Sequence, residues 1–147
     1  MKRMHIHISV DDLDKNIEFY SALFGTQPTV QHDDYAKWRL DDPTINFAVS
    51  NKGRITGLNH LGFELESNEA LEQMSKCIDD NKLDKLEEKG AQCCYANSNK
   101  YWTLDPQGIP WENFHTLGDI PVYGENAGTN VKAEAQCCSD NINSQCC

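Results

Sequence analysis

Two stretches of this chain begin in the same way. His5-Ile6-His7-Ile8-Ser9-Val10 and Asn59-His60-Leu61-Gly62-Phe63-Glu64-Leu65 both alternate with period two, the pattern of a strand with one apolar face. Superposed, His5-x-x-Ile8-x-Val10 matches His60-x-x-Phe63-x-Leu65, a weak internal repeat of about 55 residues. The match puts a histidine at the same place in both strands and sets His7 against Gly62. Duplication of this kind restricts the fold to two copies of one unit. If the two strands neighbour each other across a pseudo-twofold axis, their imidazoles converge in a shared cavity.

The segments after each strand agree with that reading. Asp11-Asp12 offers an N-cap for a helix over 13–24, with Leu13, Ile17, Tyr20, Leu23 and Phe24 as its apolar face and Gly25 as its stop. Strands follow at 35–40 and 45–49, separated by the turn Asp41-Asp42-Pro43. In the second half Ser67 or Asn68 caps a helix to about residue 80, with Leu71, Met74 and Ile78 inward and Cys77 beside them in the core. Strands are expected at 100–104 and 111–115, around the turn Asp105-Pro106-Gln107-Gly108. Each half therefore reads strand, helix, then two or three strands. The expected organisation is one domain over 1–120, with modules at about 1–52 and 55–117. A flexible tail over 121–147 is rich in Asn, Gly, Ala, Ser and Gln.

A length of 147 residues suits one domain with a real core. The formal charge of −10 argues against nucleic acid as a partner, because phosphates need a basic surface. No apolar run approaches the roughly 18 residues of a membrane span, and the N-terminus enters a strand pattern directly rather than a signal peptide. A cytoplasmic protein is the expectation. Seven cysteines, six of them in adjacent pairs, argue against a disulfide scaffold and leave the thiols available as ligands.

Chemistry concentrates in two places. Cys93 and Cys94 are too close for a relaxed disulfide, since adjacent Cα atoms stand about 3.8 Å apart. On a regular strand their side chains would diverge, so a shared ligand requires a loop or turn there, which Gly90 favours. Two convergent thiolates suit a thiophilic metal or metalloid; two small, semi-buried hydrophobes are the plainer alternative. Separately, His5, His60 and Glu112, an acid inside the aromatic strand Trp111-Glu112-Asn113-Phe114, make the donor set of a two-histidine, one-carboxylate site suited to Fe(II) and oxygen chemistry. His7 is the rival to His5, and Glu64 is the rival carboxylate. His32 and His115 read as surface residues. A strand histidine is more often a hydrogen-bonded side chain than a ligand, and it is the repeat that lifts His5 and His60 above that reading.

Val10-Asp11-Asp12-Leu13, Ile17-Glu18-Phe19-Tyr20, Leu23-Phe24-Gly25 and Asn59-His60-Leu61-Gly62 resemble the vicinal oxygen chelate (glyoxalase/bleomycin-resistance/dioxygenase) superfamily over most of residues 1–117. Cys93-Cys94-Tyr95, Lys100, Trp102 and Gly108-x-Pro110-Trp111-Glu112 are similar to the narrower group of carbon–arsenic lyases and cadmium-induced proteins. The resemblance implies an α+β fold of two βαβββ modules forming an open, metal-centred β-barrel. It implies Fe(2+) held by His5, His60 and Glu112, with Cys93 and Cys94 binding the arsenic of a trivalent organoarsenical beside it. The expected activity is oxygen-dependent carbon–arsenic cleavage in arsenic resistance, by a monomer or a homodimer; the alternative is a non-catalytic thiol-binding protein for Cd(II) or arsenite. Thr44-Ile45-Asn46-Phe47-Ala48-Val49 lacks the acid that glyoxalases usually carry there, which weighs against glyoxalase activity. Cys137, Cys138, Cys146 and Cys147 fall outside the pattern of the resemblance, and metalloid storage is one expectation for them.

Overall fold

A computed structural model describes residues 2–52, 55–121 and 123. The tail cysteines Cys137, Cys138, Cys146 and Cys147, and the expectation of a flexible tail, lie outside these residues. The first module contains β1 (Lys2–Ser9), α1 (Leu13–Phe24), β2 (Val30–His32), β3 (Tyr35–Asp41) and β4 (Thr44–Ser50). The second contains β5 (Gly57–Leu65), α2 (Asn68–Asp80), β6 (Leu86–Cys93), β7 (Ala96–Leu104) and β8 (Pro110–Asp119). All eight strands form one sheet in the order β2-β3-β4-β1-β5-β8-β7-β6, so the two repeat strands are its centre. This is the α+β architecture of two βαβββ modules curled into an open barrel.

Local chemistry explains the elements. The Asp12 side chain caps α1 by accepting from the Lys15 N–H, and Gly25 ends the helix with φ 67°. Ser67 caps α2 in the same way through the Ala70 N–H. Under α1, Val10, Leu13, Trp38, Phe47 and Val49 make one core cluster; under α2, Leu65, Leu71 and Tyr101 make a second. Ile6 and Ile8 pack against the first cluster and are only partly buried. The opposite face of β1 is the more hidden one: Arg3, His5, His7 and Ser9 are all buried. Polar groups so placed need partners, and their partners line the concave side of the sheet.

Several expectations change. Cys77 is exposed, because the inward line of α2 runs Leu71, Ser75, Ile78 and Cys77 falls off it. Leu23 is 63% exposed, at the rim of the α1 face. Two strands lie where none was expected. β2 is three residues long, too short for a periodic signal, and β6 is an exposed edge strand whose charged residues hide its alternation. β7 starts four residues before the expected strand at 100, and β8 runs beyond 115. His115 is half-buried, its Nδ1–H donating to the Leu65 carbonyl at 2.9 Å. Among the described residues, no helix is long and apolar enough to cross a membrane.

Candidate metal and thiol site

β1 and β5 run antiparallel with His7 opposite His60 and His5 opposite Gly62. That register turns both histidines of the repeat toward the concave face. β8 lies parallel to β5 with Glu112 opposite Gly62, so the carboxylate joins them. Gly62 is required there. A Cβ at that position would stand 1.7 Å from the Glu112 carbonyl oxygen, and no side chain fits.

The donor atoms converge. His5 Nε2 and His60 Nε2 are 3.0 Å apart, and Glu112 Oε2 lies 3.6 and 3.2 Å from them respectively. The other nitrogen of each ring is anchored from outside: His5 Nδ1–H donates to the Asn46 carbonyl at 3.1 Å, and His60 Nδ1–H to Asn59 Oδ1 at 2.8 Å. Asn59 is itself oriented by donating to Ser9 Oγ. With both protons directed outward, the two Nε2 lone pairs and a carboxylate oxygen face one another. Such a trio is stabilised by a shared cation, and cis donors on an ion with bonds of about 2.1 Å stand roughly 3 Å apart. The residues therefore fit a divalent ion.

Lys100 was not among the sequence candidates for chemistry. Its Nζ donates to Glu112 Oε1 at 2.6 Å and both side chains are buried, so the carboxylate is divided between an ammonium and the imidazoles. Burial would raise the Glu112 carboxyl, but Lys100 and then the histidines outweigh it and hold the group well below the usual carboxylate range. Burial, with His60 beside it, lowers His5 to about 4. In the sequence Lys100 stood out only as part of the resemblance motif that also holds Trp102. The rival carboxylate, Glu64, is engaged elsewhere, with Arg39 at 3.4 Å and Asn46 Nδ2 at 3.2 Å. His7 does join the cluster: a ring nitrogen of each of His5, His7 and His60 lies within 4.8 Å of the others.

The thiols sit at the β6–β7 hairpin. Cys93 closes β6, pairing with Ala96, while Cys94 and Tyr95 form the two-residue turn with φ of 56° and 62°. Positive φ at two non-glycine residues is costly, and it keeps the side chains from diverging as they would along a strand. Their Sγ atoms are 3.0 Å apart. The hydrogen bond shared with Cys94, followed by the Lys100 charge, lowers the Cys93 thiol against the effect of burial, whereas the same bond and burial push Cys94 well above its ordinary value.

The first module pins this turn. Tyr95 stacks on the exposed His32 with ring centroids 3.5 Å apart and donates its hydroxyl to Asp34 at 2.6 Å. The Cys94 N–H donates to the Tyr123 carbonyl at 2.6 Å. Cys93 and Cys94 open onto the same cavity as His5, His7, His60 and Glu112.

Comparison with known proteins agrees with the fold. The model of the Glyoxalase/Bleomycin resistance protein/Dioxygenase superfamily matches residues 2–112. A trivalent organoarsenical cleaving enzyme of Bacillus sp. (strain MD1) is 34% identical, covering 98% of this chain and 94% of its own. A cadmium-induced protein of Mycobacterium tuberculosis is 30% identical over 97% of this chain and 96% of its own. Homoprotocatechuate 2,3-dioxygenase from Arthrobacter globiformis superposes with a TM-score of 0.59 at 18% identity, over 81% of this chain and 37% of that one.

Proposed function

The chain belongs to the glyoxalase/bleomycin resistance protein/dioxygenase superfamily, and from that premise we propose that it is a non-haem Fe(II) dioxygenase cleaving the carbon–arsenic bond of trivalent organoarsenicals. The observation that carries this reading is that two thiols 3.0 Å apart open onto the same small cavity as His5, His60 and Glu112. The names of relatives such as the Bacillus enzyme support it.

His5, His60 and Glu112 would hold the iron, which when bound supplies coordination positions for oxygen beside the substrate. Cys93 and Cys94 take the arsenic. With methylarsonous acid, two As–S bonds replace two As–OH bonds, and the thiol protons leave with the hydroxyls as two waters. The acidified Cys93 attacks first, and the Cys94 S–H then supplies the second bond. Lys100 keeps Glu112 charged and turns one oxygen toward the histidines. Holding both reactants in one cavity makes their encounter effectively unimolecular. Overall, methylarsonous acid and one O2 give arsenite and formaldehyde: the methyl carbon is oxidised and arsenic stays trivalent.

The test is anaerobic iron loading followed by oxygen uptake and arsenite release with methylarsonous acid. Cys93→Ser and Cys94→Ser should each abolish turnover; full activity in either variant sinks the mechanism. The cadmium-induced relatives favour a second reading, a thiol-based binder of Cd(II) or arsenite without catalysis. Tight cadmium binding with no oxygen uptake would support that reading instead.

A further inference from the structure

His7 is left over when the metal is assigned to His5, His60 and Glu112, and the repeat shows what it is doing. In each module the first strand pairs in parallel with the last. β5 sets Gly62 beside Glu112, and β1 sets His7 beside Ala48. His7 is equivalent to Gly62, and Ala48 to Glu112. In the second module the inner strand has no room for a side chain and the outer strand contributes a long carboxylate. In the first, the inner strand contributes an imidazole and the outer one a wholly buried alanine. The small and large residues have changed places, and both corners of the cavity end in a metal-ligating group.

The placement of His7 matches that role. It is buried to the same degree as the other two histidines, at 3% exposed against 5% for His5 and 6% for His60. It stands directly across the strands from His60, with ring centroids 4.8 Å apart at 80°. Its Nε2 is 2.8 Å from Ser50 Oγ, so all three imidazoles have one nitrogen tied to an outer oxygen on or beside the central strands. Outer partners of this kind orient ligating histidines.

We propose that His7 is a fourth protein donor to the metal centre, which becomes a site of three imidazoles and one carboxylate. This rests on the metal centre described under Proposed function. With four protein donors instead of three, the ion would have one fewer position open to outside ligands, and the thiols of Cys93 and Cys94 would hold a substrate beside it. The donor set also suits borderline divalent ions such as Co, Ni and Zn, for which imidazole is a good ligand.

The experiment loads the full-length protein anaerobically with Co(II) and counts the exchangeable imidazole N–H protons shifted by the paramagnetic ion in its NMR spectrum. Three are expected in the wild type and two in His7→Ala, whose Co(II) affinity should fall roughly tenfold or more. His7→Gln, which keeps a polar group against Ser50, should also show two, and circular dichroism checks that both variants fold. Two signals in the wild type overturn the proposal even if neither variant folds. If instead the wild type takes up no Co(II), or His5→Ala and His60→Ala leave its signals unchanged, it is the metal centre itself that fails.

Discussion

The first module ends its repeat on Phe47-Ala48-Val49 and the second on Trp111-Glu112-Asn113, and that difference decides where charge enters the cavity. Both modules turn a histidine inward from the first strand, yet only the second supplies an acid, held by its own Lys100. The two-residue hairpin turns differ as well: Asp33-Asp34 joins β2 to β3, and Cys94-Tyr95 joins β6 to β7. They meet, Tyr95 bonding to Asp34, so the acidic turn of one module steadies the thiol turn of the other. A duplicated scaffold thus fixes where side chains converge, while single substitutions in either copy decide what converges there.

The sharpest way to break the comparison is to add a methyl group to the second module's inner strand. Gly62→Ala drives a Cβ into the β8 backbone and should cost more than about 4 kcal/mol or prevent folding, as read by denaturant unfolding. Ala48→Gly, at the outer position of the first module's corner, should cost only about 1 kcal/mol. Next in size is Glu112→Gln, which strands the buried Lys100 ammonium and should lose about 3–5 kcal/mol; Lys100→Met in the same chain should restore much of it. Failure of the double variant to recover would show that packing, not charge pairing, dominates that corner.

Acid should act first on the first module's histidine. In the metal-free protein His5 is lowered from its ordinary 6.5 to about 4. Between those values the unfolded chain binds a proton that the folded chain refuses. Stability should therefore fall as the pH drops through that window, by about 3 kcal/mol in thermal or urea melts. The Glu112 carboxyl acts in the same direction but lower: its contribution begins to be lost near its ordinary 4.5 and goes on falling further into acid, since its folded pKa lies well below that value. His5→Gln should flatten the dependence from pH 6.5 down to about 4.5, where Glu112 takes over. The smallest effect tests the meeting of the turns. Tyr95→Phe keeps the stack on His32 and removes the bond to Asp34, costing about 1 kcal/mol. Phenylarsine oxide should then bind the thiols less tightly, which titration calorimetry would read.

The repeat, both helices with their caps, and the six inner strands were legible because their signals are local: period two, period 3.6, Asp12, Ser67 and Gly25. Edge strands were not. β2 is short, and in β6 the charged residues of a solvent-facing edge mask the alternation. Cys77 shows the same limit within a helix, where a two-residue shift around the axis separates core from surface. Among the site residues, His5, His60, Glu112 and the cysteine pair all come to one cavity. Lys100 could not be placed there from its surroundings in the sequence, since its partner lies on the adjacent strand.

By itself, then, the chain's periodicity determined that there are two modules, that each opens with an inward histidine, and that Cys93 and Cys94 need a turn to act together. Only the tertiary structure decided that the polar face of β1 is the buried one and that Glu112 rather than Glu64 reaches the histidines. It also decided that His7 fills the corner opposite Glu112. The reason is register. Pairing by one residue more or less along a strand reverses which side chains meet, and that choice is settled by contacts between segments more than forty residues apart.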